Sequence, residues 1–235
     1  MSAGNKEERE QLNLNVKKSG EQFRVILKVL LALLAVIILT AAVVLIRGHL
    51  IEVCYYSVPA HSSGKVRIAA LADLHGCMHG KNQERIVSRV KEADPDLIVY
   101  LGDMVERSRP AESVVSLVVL TERLVQIAPV YYVDGNHERD ALDSEPEVYK
   151  ELNAALADLG AVQLENETLR LSLNNGCIVN LCGITTHYYW EEEENRVANN
   201  LRKQEGINVL LCHYPESVIW YRAFEDGGLD LALWK

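Results

Sequence analysis

Short apolar segments alternate with helical patterns from residue 66 to residue 159, and this alternation restricts the fold more than any other feature. The apolar segments have the length of buried strands and occupy residues 66–72, 97–101 and 130–133. Apolar side chains recur at helical spacing in residues 81–93, 110–127 and 145–159, and Gly160 closes the last of these helices. Strands that alternate with helices form parallel β-α-β units whose sheet is covered on both faces. We therefore predict an α/β fold.

The sequence after residue 160 predicts a change in strand pairing. Residues 161–174 and 176–184 have strand character and are divided by Asn174-Asn175-Gly176, which is typical of a hairpin turn. This antiparallel hairpin indicates a mixed sheet or a second sheet. Residues 191–204 then predict a charged helix, residues 207–212 another buried strand, and residues 229–233 the start of a last strand.

Polar side chains follow four of the predicted strands at the point where each strand ends. They are Asp73 and His75, then Asp103 after Gly102, then Gly135-Asn136-His137-Glu138, and finally His213. Functional groups in open α/β sheets collect beyond the carboxyl ends of the strands. We therefore expect these side chains to meet at one edge. If the chain stays extended, Asp73 and His75 point to the same side because they are two residues apart.

The chemistry of these side chains favours a metal site. Carboxylate, amide oxygen and imidazole, without thiolate, suit Mn, Fe, Zn or Mg better than a soft ion. A carboxylate between two cations can bridge them, and two such ions can clamp both oxygens of a phosphoryl displacement. Each residue taken alone is explained as well by a loop residue or a helix cap. Four such strand ends in one chain make that explanation the weaker one.

The ordered set D-x-H, G-D, G-N-H-E and a later isolated His resembles the calcineurin-like metallophosphoesterases, in particular their membrane-anchored bacterial members. Ile51-Glu52-Val53, Tyr56 and Val58 match the segment that precedes the first motif in those proteins. The resemblance covers about residues 50–233. It implies a four-layer α/β/β/α sandwich with a dinuclear metal centre.

The resemblance also implies which residues hold the metal ions. Carried over residue by residue, it assigns Asp73 and His75 to the first ion, Asn136 and His213 to the second, and Asp103 to both. The implied cofactors are two divalent ions, which are Mn, Fe, Zn or Mg.

The same resemblance implies a role in catalysis for His137. This residue is the expected acid that protonates the leaving oxygen, and Asn136 and His137 are expected to bind the phosphate of the substrate. The substrate classes that the family implies are phosphomonoesters, phosphodiesters and pyrophosphates, among them nucleotide-sugar lipids related to lipid A precursors.

Three further features are weaker candidates for the site. Glu106 follows the G-D motif and is expected beside the metal ligands without binding a metal itself. His79 could touch phosphate, although a solvated loop residue is the better explanation. His187 and the aromatic residues 188–190 could wall the substrate or simply cap the domain.

An uncharged apolar run precedes the α/β region. Residues 29–46 contain Thr40 as their only polar side chain, and residues 25–47 are long enough to cross a bilayer. A cleaved signal peptide is the alternative, but its apolar region is normally shorter. We therefore expect a polar cytoplasmic tail at residues 1–24, an anchor at 25–47, a linker at 48–65 and the phosphoesterase domain at 66–235. More Lys and Arg side chains precede the run than follow it, which predicts a cytoplasmic N-terminus and an extracytoplasmic domain.

Charge and cysteine content exclude two other classes. The formal net charge is −9, and an acidic chain without a basic stripe is a poor ligand for nucleic acid. We therefore expect no nucleic-acid partner, while the lipid bilayer and a phosphate ester are the expected partners. The five cysteines are odd in number and without C-x-x-C spacing, so we expect reduced thiols rather than a disulfide framework. The sequence leaves the oligomeric state open.

The end of the chain departs from the family pattern. A final S-G-H-x-H-G-G motif normally follows the last predicted strand, whereas here that strand is followed by Trp234-Lys235. We therefore expect a truncated copy with an incomplete second sheet, one histidine fewer on each metal ion, and impaired activity. Because Trp234 already differs from the pattern, a frameshift or premature stop is the expected cause. The alternative is a non-catalytic, membrane-tethered remnant or binding module.

Overall fold

The computed structural model describes residues 22–24, 26–43, 51–60, 64–184, 192–214 and 228–234. The chain forms two compact units, Met1–Glu52 and Val53–Lys235. The predicted aromatic cluster at residues 187–190 lies outside the described residues, as does nearly all of the predicted tail at residues 1–24.

The described part of the first unit is one apolar helix, α1 (Gln22–Val43), which is long and apolar enough to cross a membrane. Its hydroxyl group is satisfied within the helix, because Thr40 Oγ1 donates to the carbonyl oxygens of Val36 and Ile37 at 3.0 and 2.9 Å. A polar side chain that bonds to its own helix can lie in an apolar environment at low cost. Length and composition fit a signal sequence equally well.

The first sheet of the second unit is parallel, with strands in the order β1 (Ile68–Leu71), β2 (Leu97–Tyr100), β3 (Val130–Tyr132) and β4 (Val162–Gln163). The helices that connect these strands are α2 (Glu84–Ala93), α3 (Pro110–Leu124), α4 (Asn136–Ser144) and α5 (Pro146–Asp158). All of β2 is buried, as its continuous apolar sequence predicts for a central parallel strand.

The second sheet is mixed, with strands in the order β5 (Glu167–Ser172), β6 (Ile178–Ile184), β7 (Ile207–Cys212) and β8 (Leu231–Leu233). The first two strands form the predicted antiparallel hairpin, whose turn contains Gly176 at φ 83°. β7 and β8 then add in parallel. The remaining helix, α6 (Glu192–Leu201), precedes β7.

The two sheets pack face to face, and helices cover their outer faces. Leu97 and Val99 of β2 share one apolar core with Leu181 of β6 and Val209 of β7. On the outer face of the second sheet, α6 packs through Val197, Ala198 and Leu201. Side chains from α3 and α5 line a small cavity with Tyr100 and Tyr132 of the first sheet. The result is an α/β/β/α sandwich, as the family resemblance implied.

Two local features differ from the sequence prediction. The predicted helix at residues 81–93 begins as a single 3-10 turn, because Asn82 and Gln83 are left-handed, and the regular helix starts at Glu84. Helix α4 was not predicted. Its sequence, Asn-His-Glu-Arg-Asp-Ala-Leu-Asp-Ser, has no apolar stripe because Ala141 and Leu142 are its only apolar residues. Of its side chains, only those of Glu138 and Ala141 are buried.

The five cysteines are thiols that form no disulfide with one another, and Cys177, Cys182 and Cys212 are buried. Burial raises the pKa of both the Cys182 and the Cys212 thiols to about 12. These two thiols are therefore protonated and pack as small apolar side chains.

Candidate metal centre

The turn after β1 carries two of the predicted ligands. Asp73 and His75 have left-handed backbones, with φ of 52° and 46°. The expectation that they continue the strand in extended geometry is therefore wrong. The turned backbone lets the Asp73 N–H donate to Gly102 O at 3.2 Å and the His75 N–H donate to Asp103 O at 3.0 Å. These bonds fasten the turn after β1 to the turn after β2.

The turns after β2 and β3 touch because both contain glycine. A Cβ atom on Gly102 would lie 2.5 Å from the Gly135 nitrogen, and a Cβ atom on Gly135 would overlap Asp103 Oδ1. Gly102 also has a φ of 90°, which disfavours any other residue. This close approach brings the Asp103 carboxylate beside the Asn136-His137 turn, where Asp103 Oδ1 accepts the His137 backbone N–H at 2.9 Å.

The buried carboxylate of Glu138 accepts hydrogen bonds from the backbone of both turns. Glu138 is 5% exposed, and its carboxylate accepts four backbone N–H groups at 2.7–3.0 Å: those of Asp103, Met104, Val105 and Gly135. Burial raises the pKa of Glu138, and the backbone donors oppose that rise. The sequence reasoning assigned Glu138 no role. The signal that could have identified it is an acidic residue directly after the predicted site residues Asn136 and His137, where helix α4 begins.

Five of the six predicted site residues, four ligands and the expected acid His137, form two donor groups that share one carboxylate. His75, Asp103 and His137 make one group, and the second consists of Asp73, Asp103 and His213. Within each group the ligand atoms lie within 4.8 Å of one another. The sixth predicted residue, Asn136, places its Oδ1 atom 3.2 Å from His213 Nε2. All six predicted residues therefore meet at one place, where the carboxyl ends of β1, β2 and β3 of the first sheet lie beside that of β7, which belongs to the second sheet.

His213 is oriented so that its second nitrogen faces this place. Its Nδ1 lies 2.9 Å from Leu101 O, a carbonyl oxygen that can only accept, so Nδ1 carries the proton. Nε2 then lies 3.4 Å from Asp103 Oδ2 and 3.2 Å from Asn136 Oδ1. Three electron-pair donors converge here, as is expected around a cation.

In the absence of an ion, Asp103 and His213 shift each other's pKa as a neighbouring carboxylate and imidazole do. Burial raises the pKa of Asp103, but hydrogen bonds and the nearby His213 and His137 outweigh it and hold the pKa below its usual value. The pKa of His213 is raised. Burial lowers it, but the hydrogen bonds to Asp103 and to the Leu101 carbonyl oxygen raise it by more. Asp103 is therefore an ionised carboxylate at neutral pH.

The first group contains a polar atom that lacks a partner. His75 Nδ1 is buried and makes no hydrogen bond to any described residue. Glu106 Oε2 lies 3.8 Å from it, and the His75 ring packs edge-on against His137 at 4.5 Å between centroids. A buried imidazole nitrogen without a partner beside an ionised carboxylate fits a metal ligand. The residues that meet here thus fit divalent ions in donor chemistry and in arrangement.

Glu106 lies beside the imidazoles, as expected, at 3.6 Å from His137 Nδ1. A hydrogen bond from the Ser108 backbone is the main cause that lowers the pKa of Glu106. The backbone N–H of His79 donates to Gln83 Oε1 at 2.8 Å. The His79 side chain belongs to neither donor group.

Comparison with known proteins gives one family. The family described as "Calcineurin-like phosphoesterase" matches residues 66–234. The uncharacterized metallophosphoesterase YkoQ of Bacillus subtilis (strain 168) is 24% identical over 155 residues, which are 66% of this chain and 55% of that protein. The chain thus spans about half the length of this curated relative. The crystal structure of TT1561 of Thermus thermophilus has the same fold, with a TM-score of 0.53 at 14% identity over 72% of this chain and 81% of that one. Since the family match covers most of the chain, this protein belongs to the calcineurin-like phosphoesterase family.

Proposed function

We propose that this protein is a membrane-anchored, dinuclear-metal-dependent hydrolase of phosphoric esters. The observation that carries the proposal is the pair of donor groups that share Asp103 at the carboxyl ends of the strands. When bound, two divalent ions supply positive charge for the phosphoryl oxygens and a nucleophile that works at neutral pH. The proposed substrates are phosphomonoesters, phosphodiesters and pyrophosphates, and nucleotide-sugar lipids are one candidate among them.

The ligand assignment is part of the proposal. Asp73 and His75 hold one ion, Asn136 and His213 hold the other, and Asp103 contributes to both. Support comes from the short distances between the two sets, since Asp73 groups with His213 and both groups contain Asp103. Donor atoms assigned to different ions are expected to lie this close in one compact centre and not in two separate sites.

A direct assay tests the proposed activity. The full chain, purified in detergent, stripped of metal and reloaded with Mn²⁺, is expected to hydrolyse p-nitrophenyl phosphate or bis(p-nitrophenyl) phosphate. The rate is expected to fall to the uncatalysed level when EDTA is added. If the chain binds Mn²⁺ and hydrolyses neither ester, the non-catalytic binding module becomes the better account.

His137 is the proposed acid for the leaving oxygen. Its Nδ1 accepts the Arg107 backbone N–H at 3.2 Å, so Nε2 carries the proton of the neutral ring. Nε2 lies 3.8 Å from Asp103 Oδ2, on the side of the donor groups. The Arg107 amide thus turns the proton-bearing nitrogen toward the place where a phosphate ester would bind.

His137→Gln is expected to lower kcat by about 10²–10⁴-fold on an ester with a poor leaving group, because a positioned acid contributes about that much. The loss is expected to be smaller with p-nitrophenolate, which leaves without a proton. The bound Mn²⁺ is expected to stay at the wild-type amount. The control is the same substitution at His61, which precedes the first strand. If His137→Gln loses metal in proportion to activity, His137 is a ligand and not the acid.

The proposed topology places residues 25–47 across the bilayer, the N-terminus in the cytoplasm and the phosphoesterase domain outside. The apolar helix α1 and the bias of Lys and Arg support it. Cys77 is exposed in the domain and Cys54 precedes it, whereas the other three cysteines are buried. A membrane-impermeant maleimide is therefore expected to label intact cells, and Cys54→Ser/Cys77→Ser is expected to remove the label. Labelling only after lysis would reverse the orientation, and release of the domain from the membrane would favour a cleaved signal sequence.

A further inference from the structure

A buried polar cluster lies directly behind the Asn136-His137 turn. Asp134 is 3% exposed, and its Oδ2 atom accepts the Tyr149 hydroxyl at 2.5 Å and Gln163 Nε2 at 3.1 Å. Gln163 Nε2 also lies 3.0 Å from the Tyr149 oxygen, and 3.2 Å separates Gln163 Oε1 from Asn153 Nδ2. We call Asp134, Tyr149, Asn153 and Gln163 the Asp134 cluster. Its partners come from α5 and β4, which carry none of the predicted ligands.

The Asp134 cluster includes the residue that begins the turn after β3, and this turn packs closely against the turn after β2. Asp134 is followed by Gly135, whose backbone is packed against Asp103, and then by Asn136, whose Oδ1 lies 3.2 Å from His213 Nε2. Glu138 fastens the turn on the side of Asp103 through the Gly135 N–H. On the opposite side, the described residues that bind the Asp134 side chain are Tyr149 and Gln163.

The side chain of Asp134 is not held in one position by close packing alone. A cavity with room for about one water molecule, 10 Å³, lies between the sheet and helices α3 and α5, and Asp134 lines it. Asp134 Oδ1 is buried and has no hydrogen-bond partner among the described residues. The side chain therefore depends on the two bonds to Oδ2 for its position.

We propose that Tyr149 and Gln163 are positioning residues that act through Asp134 to hold Asn136 at the metal centre. The inference rests on the proposed function, because it takes Asn136 as a metal ligand. Groups that orient metal ligands typically change metal affinity by about 10–100-fold when they are removed. A network that served only the stability of the fold would leave metal affinity unchanged.

The test uses Tyr149→Phe, which removes one hydroxyl and keeps the ring. Mn²⁺ binding to the full chain is followed by electron paramagnetic resonance, and the Mn²⁺ concentration for half-maximal turnover is measured beside it. The weaker of the two Mn²⁺ dissociation constants is expected to rise about tenfold. At saturating Mn²⁺ the value of kcat is expected to return to within about twofold of wild type. Gln163→Leu is expected to act in the same direction, and it serves if Tyr149→Phe folds poorly.

Two variants separate positioning from stability. Tyr100→Phe removes a buried hydroxyl that bonds to Thr121 Oγ1 at 3.0 Å, whereas the Tyr149 hydroxyl bonds to Asp134. It is expected to lower the Tm as much as Tyr149→Phe does, with both Mn²⁺ dissociation constants unchanged. Asp134→Asn keeps an oxygen that can accept the Tyr149 hydroxyl, and it is expected to stay close to wild type in Mn²⁺ affinity.

The outcomes separate this inference from the proposed function. If Tyr149→Phe and Tyr100→Phe lower the Tm alike and neither changes Mn²⁺ affinity, the positioning role is wrong while the metal centre stands. If Mn²⁺ binds, weakens in Tyr149→Phe and supports no turnover, the positioning role holds and the hydrolase proposal is wrong. If the wild-type chain binds no Mn²⁺ at all, both are wrong.

Discussion

Asp103→Asn is expected to abolish hydrolysis of phosphoric esters, with a loss of about 10³-fold or more, because it removes the one carboxylate that both donor groups share. Asparagine has nearly the same size and tolerates the left-handed backbone that Asp103 adopts at φ 53°. The fold is therefore expected to persist while the negative charge and one oxygen donor are lost. Turnover and bound metal are measured on the same purified sample.

The same substitution of aspartate by asparagine at an exposed position is the control. Asp158 is exposed at the end of α5, so Asp158→Asn is expected to leave both turnover and metal content at the wild-type level. Circular dichroism confirms that the Asp103 variant is folded. Full metal content together with wild-type turnover in Asp103→Asn would contradict the shared role of this carboxylate.

Glu138→Gln is expected to cost about 2–6 kcal/mol of unfolding free energy, because about two buried N–H groups lose their acceptor at about 1–3 kcal/mol each. The wild-type carboxylate accepts from Asp103, Met104, Val105 and Gly135. Glutamine offers one oxygen and one NH₂ group, so some of these N–H groups face another donor and stay unsatisfied. For a domain of this size the loss corresponds to a fall in Tm on the order of 10 °C. Thermal unfolding with and without Mn²⁺ measures it.

The control for Glu138 is the same substitution at an exposed site. Glu147 forms an exposed pair with Lys150 at 2.8 Å in the first turn of α5, and pairs of this kind contribute little. Glu147→Gln is therefore expected to change the Tm by no more than about 2 °C. An unchanged Tm in Glu138→Gln would mean that the turns after β2 and β3 are held by other contacts.

The strands and the hairpin could be predicted because they depend on local patterns, whereas the four layers were implied by the family resemblance. Continuous apolar segments such as Leu97–Tyr100 identified the parallel strands, and Asn174-Asn175-Gly176 identified the hairpin that begins the second sheet. Helix α4 could not be predicted in this way. It has no apolar stripe, and the contacts of Glu138 with distant backbone groups hold its first turn in place.

That the six candidate residues lie together could be predicted from the sequence, whereas their arrangement could not. Strand ends marked Asp73, His75, Asp103, Asn136, His137 and His213, and the structure brings all six together. Which residue lies beside which depends on the left-handed turn at Asp73 and His75 and on the contact of Gly102 with Gly135. Both are consequences of how separate turns pack, and residue spacing within one turn does not encode them.

Anomalous diffraction from crystals grown with Mn²⁺ tests the shared metal centre most directly. We expect two Mn²⁺ peaks, both in contact with the Asp103 carboxylate, with Asp73, His75, Asn136 and His213 as further ligands. A single peak, two peaks of which only one contacts Asp103, or no peak beside these residues would contradict the account.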